Sequence, residues 1–202
     1  MERTLDIPRT IGICGAAGSG KDTLCNALIT IIGSQLAKRF SIAGDKIRED
    51  LRPLIHQSMF WDITELDRHQ KETVRPLMVE YGRMMRNTTL GRYFITHLEN
   101  RPTFQDTSIR IIPDIRYDEF QYDERHWLKE EQKGFLIYVD RRNTPPANKY
   151  EEKNLQNLRL WADHVVAWDT LENIEQDALL VANQIINSHF TTNHSDTAPL
   201  AR

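Results

Sequence analysis

The stretch that decides the fold is G-I-C-G-A-A-G-S-G-K-D-T-L-C-N-A-L, residues 12–28. Ahead of its glycines lies a short apolar run, Thr10–Cys14, which reads as a buried strand. Behind them, K-D-T-L-C-N-A-L-I-T-I-I (21–32) reads as a helix. Between strand and helix, Gly15, Gly20 and Lys21 satisfy G-x-x-x-x-G-K. The glycines let the backbone wrap phosphate groups and aim its N–H donors at them. The helix behind offers the positive end of its dipole. Lys21 then bridges the β- and γ-phosphates of a nucleotide and neutralises charge as a phosphoryl group moves. Ala16, Ala17, Gly18 and Ser19 complete the wrap, and the loop reads as an ATP site over residues 16–23.

The residue after the lysine is Asp22, where the usual pattern has a Ser or Thr whose hydroxyl ligates Mg²⁺. An acid beside a triphosphate is unfavourable unless a cation lies between them. Asp22 is therefore read as a Mg²⁺ ligand, directly or through water. The alternative is that it faces away and only favours the helix N-terminus. Thr23 is then free to reach a phosphate oxygen.

Moving outward, short apolar runs alternate with longer helical patterns, which argues for βαβ units and a parallel sheet. R-F-S-I-A-G (39–44), S-I-R-I-I-P-D-I-R (108–116), G-F-L-I-Y-V-D (134–140) and D-H-V-V-A-W (163–168) read as further strands. Residues 45–100 read as mostly helix. Within them Val74, Leu77, Met78, Tyr81, Met84 and Met85 form one apolar stripe, with Pro76 in the first turn. Residues 116–132 read as a polar helix with Phe120, Trp127 and Leu128 inward, and 170–186 as a closing helix. The fold expected is α/β, a five-stranded parallel sheet with helices on both faces. It carries a helical insertion over about 44–100 and a lid over about 141–158, in one domain spanning 1–190. Residues 191–202 are polar and aperiodic and read as a disordered tail.

A chain of 202 residues buries enough surface to need no staples. Its net charge is -3, from 26 basic and 29 acidic residues, which disfavours a nucleic-acid partner. Cys14 and Cys25 stand in no metal-ligand spacing and read as small buried residues in a reducing compartment. The N-terminus has no apolar leader, and no run approaches the ~18 apolar residues of a membrane span. These features point to a soluble cytoplasmic protein.

Ligands of an open α/β sheet bind beyond the carboxyl ends of the strands. Asp114 and Arg116 stand at such an end. Asp114 can orient Mg²⁺ through water or bond a substrate group, and Arg116 can clamp an acceptor phosphate. The insertion adds Lys46, Arg48, Arg75, Arg83, Arg86 and Arg92. Arg75, Gly82 and Arg86 fall on one helical line, a spacing suited to an anionic small molecule, with Gly82 leaving room at the backbone. Arg141, Arg142 and Lys149 lie in the polar lid, where arginines can close on the transferring phosphoryl.

G-A-A-G-S-G-K-D-T, S-I-A-G-D-K-I-R-E-D, V-R-P-L-M-V-E-Y-G, I-I-P-D-I-R-Y-D-E and A-D-H-V-V-A-W-D-T-L-E-N-I occur in an order that resembles the phage-type deoxynucleoside monophosphate kinases. These belong to the P-loop nucleoside monophosphate kinase group. The resemblance spans about 11–186. It implies transfer of the γ-phosphoryl of ATP, with Mg²⁺, to a deoxynucleoside monophosphate (dNMP), in host cytoplasm if the chain is phage-encoded. It implies that Ala16, Ala17, Gly18, Gly20, Lys21, Asp22 and Thr23 contact ATP and its metal. It implies that Arg75, Gly82, Asp114 and Arg116 face the monophosphate; Glu119, in the last of the D-I-R-Y-D-E run, is placed with them. The family's basic residue after A-G falls on either Lys46 or Arg48. Trp168 stands where the family's last-strand motif ends near an Asn. Trp61, Tyr81, Tyr93 and Phe94 are the candidate walls of a base pocket. A monomer and a homodimer are both open. Phosphomevalonate kinases of the animal type, with the same G-K-D loop and D-x-R, are the nearest alternative, and dephospho-coenzyme A kinase a more distant one. A non-catalytic ATP-binding protein is a further alternative; a guanine-nucleotide switch would carry N-K-x-D, which is absent.

Overall fold

A computed structural model describes residues 3–142, 144–146, 149–168 and 173–193. Five strands, β2 (Thr10–Cys14), β3 (Ala37–Arg39), β4 (Ile109–Ile112), β5 (Phe135–Arg141) and β6 (His164–Trp168), form one parallel sheet in the order β3-β4-β2-β5-β6. The expected five-stranded parallel sheet with helices on both faces is what the chain adopts. A separate antiparallel ribbon joins β1 (Arg3–Leu5) to β7 (Thr191–Asn193), so the first three residues of the expected tail are a strand. Residues 194–202 lie outside the described residues.

Alternation along the strands divides the sheet's side chains between two cores. Ile11, Ile13, Ile111, Ile137 and Val139 face α1 (Lys21–Ile32) and α8 (Ile174–His189), meeting Leu24, Leu28, Ala178, Ala182 and Ile185. Cys14, Ile112, Leu136 and Tyr138 face the other way. They meet α4 (Arg92–Glu99), α5 (Pro102–Asp106), the short α6 (Glu124–His126) with its π turn at Trp127–Glu131, and α7 (Lys149–Trp161). Gly12 belongs to this second face. A Cβ there would stand 2.4 Å from Leu128 Cδ2 and 2.8 Å from Ile115 Cγ1, so the close packing of Leu128 on β2 requires a glycine.

The insertion is α2 (Gly44–Met59) and α3 (Arg68–Thr89), followed by α4. It holds a small cluster of its own, Leu51, Ile55, Ile63, Leu66 and Val74. Among the described residues no helix is long and apolar enough to cross a membrane.

Four local expectations are corrected. The second strand stops at Arg39, because the Ser41 hydroxyl and the Ile42 N–H turn to the Asp114 carboxylate and leave the ladder. α3 starts at Arg68 on a capping box: Asp67 Oδ1 accepts from Gln70 N–H at 2.8 Å and Gln70 Oε1 from Asp67 N–H at 3.0 Å. Pro76 therefore lies in the helix interior, and the stripe narrows, with Leu77 and Met84 exposed. The polar helix after β4 begins only at Glu124, because the Asp123 carboxylate draws the N–H groups of Glu119, Phe120 and Glu124 into a turn. Much of the expected lid is helical, as α7; residues 143, 147 and 148 of that stretch lie outside the described residues.

Candidate active site

The loop between β2 and α1 has the backbone that its glycines allow. Gly15, Gly18 and Gly20 have φ of 141°, 75° and 95°, and a Cβ on Gly15 would stand 2.3 Å from the Val139 carbonyl oxygen. Lys21 is buried, and its Nζ donates to the carbonyls of Gly15 at 2.8 Å and Ala16 at 2.6 Å. Burial lowers its pKa, and the nearby charge of Arg116 lowers it further. Ala17 and Gly18 are exposed; Ser19 is buried, with a hydroxyl that has no hydrogen-bond partner among the described residues. Arg141 Nη1 donates to the Gly18 carbonyl at 2.9 Å, which fastens the end of β5 to the loop. Gly20 packs against Trp168 and Ile174.

Asp22 opens α1 with its Oδ1 2.5 Å from Arg39 Nη2, both side chains well exposed. One oxygen of the expected metal ligand is thus engaged by an arginine. The Asp22 Oδ2 and the Thr23 hydroxyl make no other hydrogen bond among the described residues. Among those residues no group of three or more His, Cys, Asp or Glu side chains could hold a metal. One carboxylate oxygen and one hydroxyl are hard donors. They fit a Mg²⁺ ion that draws most of its shell from phosphate and water.

Beyond the end of β4 a cleft of about 360 Å³ opens between the sheet and the insertion. Arg75, Gly82 and Arg86 of α3, Arg48 of α2, and Asp114, Arg116 and Tyr117 after β4 all line it. The helical line and the strand end read from sequence therefore meet. Arg116 is exposed and has no ion-pair partner among the described residues. Arg75 is exposed and lies 3.0 Å from Glu72. Gly82 also lets α2 come close, since a Cβ would stand 3.2 Å from Ile47 Cδ1. Asp114 has both oxygens engaged, by Ser41 Oγ at 2.7 Å and by the Ile42 N–H.

Arg86 is 4% exposed, and its guanidinium carbon lies 3.3 Å from the centroid of the Tyr117 ring. Nη2 donates to Glu124 Oε1 at 2.5 Å. Burial pushes the Glu124 carboxyl up to about 7, against the pull of Arg86.

Several expected residues lie elsewhere. Of the two candidates after A-G, Arg48 reaches the cleft. Lys46 does not line it, being held 2.7 Å from Asp50 and 3.3 Å from Glu49. Glu119 takes a hydrogen bond from the Tyr150 hydroxyl and does not line the cleft. Arg83 pairs with Glu80, and Arg92 with Glu99 and Glu131. Tyr81 and Tyr93 donate to Asp50, Phe94 is core, and Trp61 packs on the insertion's own cluster. None of the four aromatics lines the cleft. Its apolar wall is Ile47, Ile63, Leu66, Met78 and Val79, and Lys71 adds a cation. Sequence reasoning missed these, together with Tyr117 and Glu124. Ile47, Met78 and Val79 carry no signal beyond their helical positions, and Glu124 stands in the charged run D-E-R-H.

No protein-family model matches the sequence, and no curated protein matches it. Solved structures that resemble the chain include shikimate kinase from Acinetobacter baumannii in complex with shikimate (16% identity, 91% of this chain and 95% of that one, TM-score 0.47). Dephospho-CoA kinase from Campylobacter jejuni is similar at 14% identity, over 89% of this chain and 98% of that one, with a TM-score of 0.46. Shikimate kinase from Aquifex aeolicus follows at 14%, over 89% and 99%, with a TM-score of 0.41.

Proposed function

We propose that the chain is an ATP-dependent kinase that converts a deoxynucleoside monophosphate to its diphosphate, with ADP as the second product. The observation that supports this most is Arg116: a guanidinium without an ion-pair partner among the described residues, lining the cleft and close enough to Lys21 to lower its pKa. On this reading Arg116 serves the junction between the acceptor phosphate and the γ-phosphate of a loop-bound ATP. Two phosphates brought together repel, so the chemistry is positioning and charge compensation.

On this reading the acceptor oxygen, already ionised, attacks the γ-phosphorus. The bond from that phosphorus to the β,γ-bridging oxygen breaks, and ADP departs with the electron pair. No general base is required. Lys21 moves from its loop carbonyls to the β- and γ-phosphates. Arg116 and Arg86 hold the acceptor phosphate, with Arg48 and Arg75 at the cleft's edge. Arg141 steadies the loop through Gly18. Mg²⁺ arriving with ATP would supply further charge compensation, with Asp22 or Thr23 as its protein ligand. The apolar wall of Ile47, Ile63, Leu66, Met78 and Val79 suits a base and sugar better than a short hydroxy acid. That favours a nucleotide over a phosphomevalonate-type acceptor. A pocket of this volume is in the range of small-molecule sites.

A coupled ADP-release assay with dNMPs, NMPs and mevalonate 5-phosphate tests the proposal. Turnover with one or more dNMPs is expected. ATP binding without consumption of any acceptor would mark a non-catalytic ATP-binding protein instead.

A further inference from the structure

Glu124 opens α6 and is 1% exposed. A buried carboxylate is tolerated only where its oxygens are well bonded. Both are: Oε1 accepts from Arg86 Nη2 at 2.5 Å, and Oε2 accepts from the backbone N–H of Arg116 at 2.6 Å. The two donors come from different elements that line the cleft, Arg86 from the insertion and Arg116 from beyond the end of β4. Arg86 is otherwise held flat against Tyr117, and its Nε, 4.0 Å from the buried Asp123 Oδ1, makes no hydrogen bond among the described residues. A guanidinium carries five N–H donors in a rigid fork. Glu124 takes one edge of that fork and so fixes the direction of the rest.

We propose that Glu124 is a positioning residue for the acceptor phosphate: a single carboxylate that fixes the Arg86 guanidinium and the Arg116 backbone together, so that both arginines address one anion. That the anion is a dNMP phosphate rests on the kinase reading; the coupling of the two arginines does not. Glutamine in this place cannot do the same. Its one amide oxygen can accept from Arg86 or from Arg116 N–H, and its NH₂ then faces the remaining donor.

The test uses the full chain, with inorganic phosphate and a dNMP panel as probes. Phosphate is titrated by calorimetry into the ADP-saturated protein, so that the loop is already filled, and ATP affinity and acceptor kcat/KM are measured beside it. For Glu124→Gln, phosphate affinity and acceptor kcat/KM are each expected to fall tenfold or more, with ATP affinity within twofold of the parent. Glu124→Asp keeps two accepting oxygens on a shorter arm and is expected to fall between. Equal losses for ATP and acceptor, or no loss in a variant with the parental circular dichroism, overturn the proposal. If Glu124→Gln does not fold, Arg86→Lys carries the test: it keeps the charge opposite Glu124 but loses the fork, and unchanged phosphate affinity overturns the proposal. A parent that binds phosphate but turns over no dNMP removes the kinase reading, and the phosphate titration alone then decides the positioning role. A parent that neither binds phosphate nor turns over a dNMP overturns both.

Discussion

Lys21 both closes the phosphate loop and braces it, through Nζ contacts of 2.8 and 2.6 Å to Gly15 and Ala16. Lys21→Ala is expected to cut kcat by ~100-fold or more, since removing one donor aimed at developing charge costs about 3–4 kcal/mol. Near-parental turnover in a folded variant would place Lys21 away from the transferring group. The two arginines predicted to clamp the acceptor now differ in kind. Arg75 is shared with Glu72, whereas Arg116 has no such partner. Arg116→Lys is therefore expected to lower acceptor kcat/KM by ~10-fold or more, and Arg75→Lys by less, each with ATP affinity within a fewfold, because a lysine cannot reproduce the planar fork. Steady-state titration of both substrates checks this, and an equal loss for ATP would sink it. Asp22 is a sharper case, its Oδ1 being engaged by Arg39. If its other oxygen helps to hold Mg²⁺, Asp22→Ala raises the Mg²⁺ concentration needed for half-maximal rate; an unchanged requirement assigns Asp22 to the helix start and to Arg39 alone.

At the scale of elements, α2, α3 and α4 meet at Asp50. Its carboxylate lies 2.7 Å from Lys46 Nζ and accepts from the hydroxyls of Tyr81 at 2.8 Å and Tyr93 at 2.9 Å. Burial alone would raise the Asp50 pKa; the hydrogen bonds from Lys46, Tyr81 and Tyr93 outweigh it and hold the carboxyl below its ordinary value. A group depressed in the folded chain contributes stability above its unfolded pKa of ~3.9, and loses it as pH falls through the folded value. Asp50→Asn is thus expected to lower the thermal midpoint at neutral pH and to raise the acceptor KM, since α2 and α3 carry cleft residues. The gap in midpoint from the parent should close below about pH 4. A gap that stays constant with pH would show that the charge of Asp50 is not what joins the helices. The same region shows where the sequence was legible. The loop was, because its glycines, its lysine and both flanking elements lie within 25 residues and dictate one local geometry. The start of α3 was not, because the Asp67–Gln70 box competes with Pro76 as the start signal, and the box won. Lys46 and Arg48 could not be told apart by spacing; packing against Asp50 separates them. Glu124 meets Arg86 across 38 positions, a pairing that no local pattern announces.

Over the whole molecule, buried apolar residues are unevenly shared. Two large cores clamp the sheet, one under α1 and α8 and one under α4 to α7, while the insertion's own cluster is Leu51, Ile55, Ile63, Leu66 and Val74. Local opening is easiest where few apolar contacts must be broken. Amide hydrogens of α2 and of the first turns of α3 are therefore expected to exchange faster than those of β2, β5, α1 and α8 in the ligand-free chain. The two proposed ligands also touch different parts of this uneven structure. ATP, on the proposed reading, engages residues 15–23, next to the rigid sheet, and should slow exchange there and little elsewhere. An acceptor bound between Arg48, Arg75, Arg86 and Arg116 ties the less stable insertion to the end of β4, so it should slow exchange in both α2 and α3, at sites it never contacts. Binding only to the folded arrangement stabilises it by mass action, and the effect shows most where the free chain opens most often. Hydrogen exchange read by mass spectrometry, with ATP alone and then with each dNMP alone, resolves the two footprints. If a dNMP that supports turnover leaves α2 and α3 exchanging at the free rate, the acceptor does not bind in this cleft, and the arginines that line it serve another purpose.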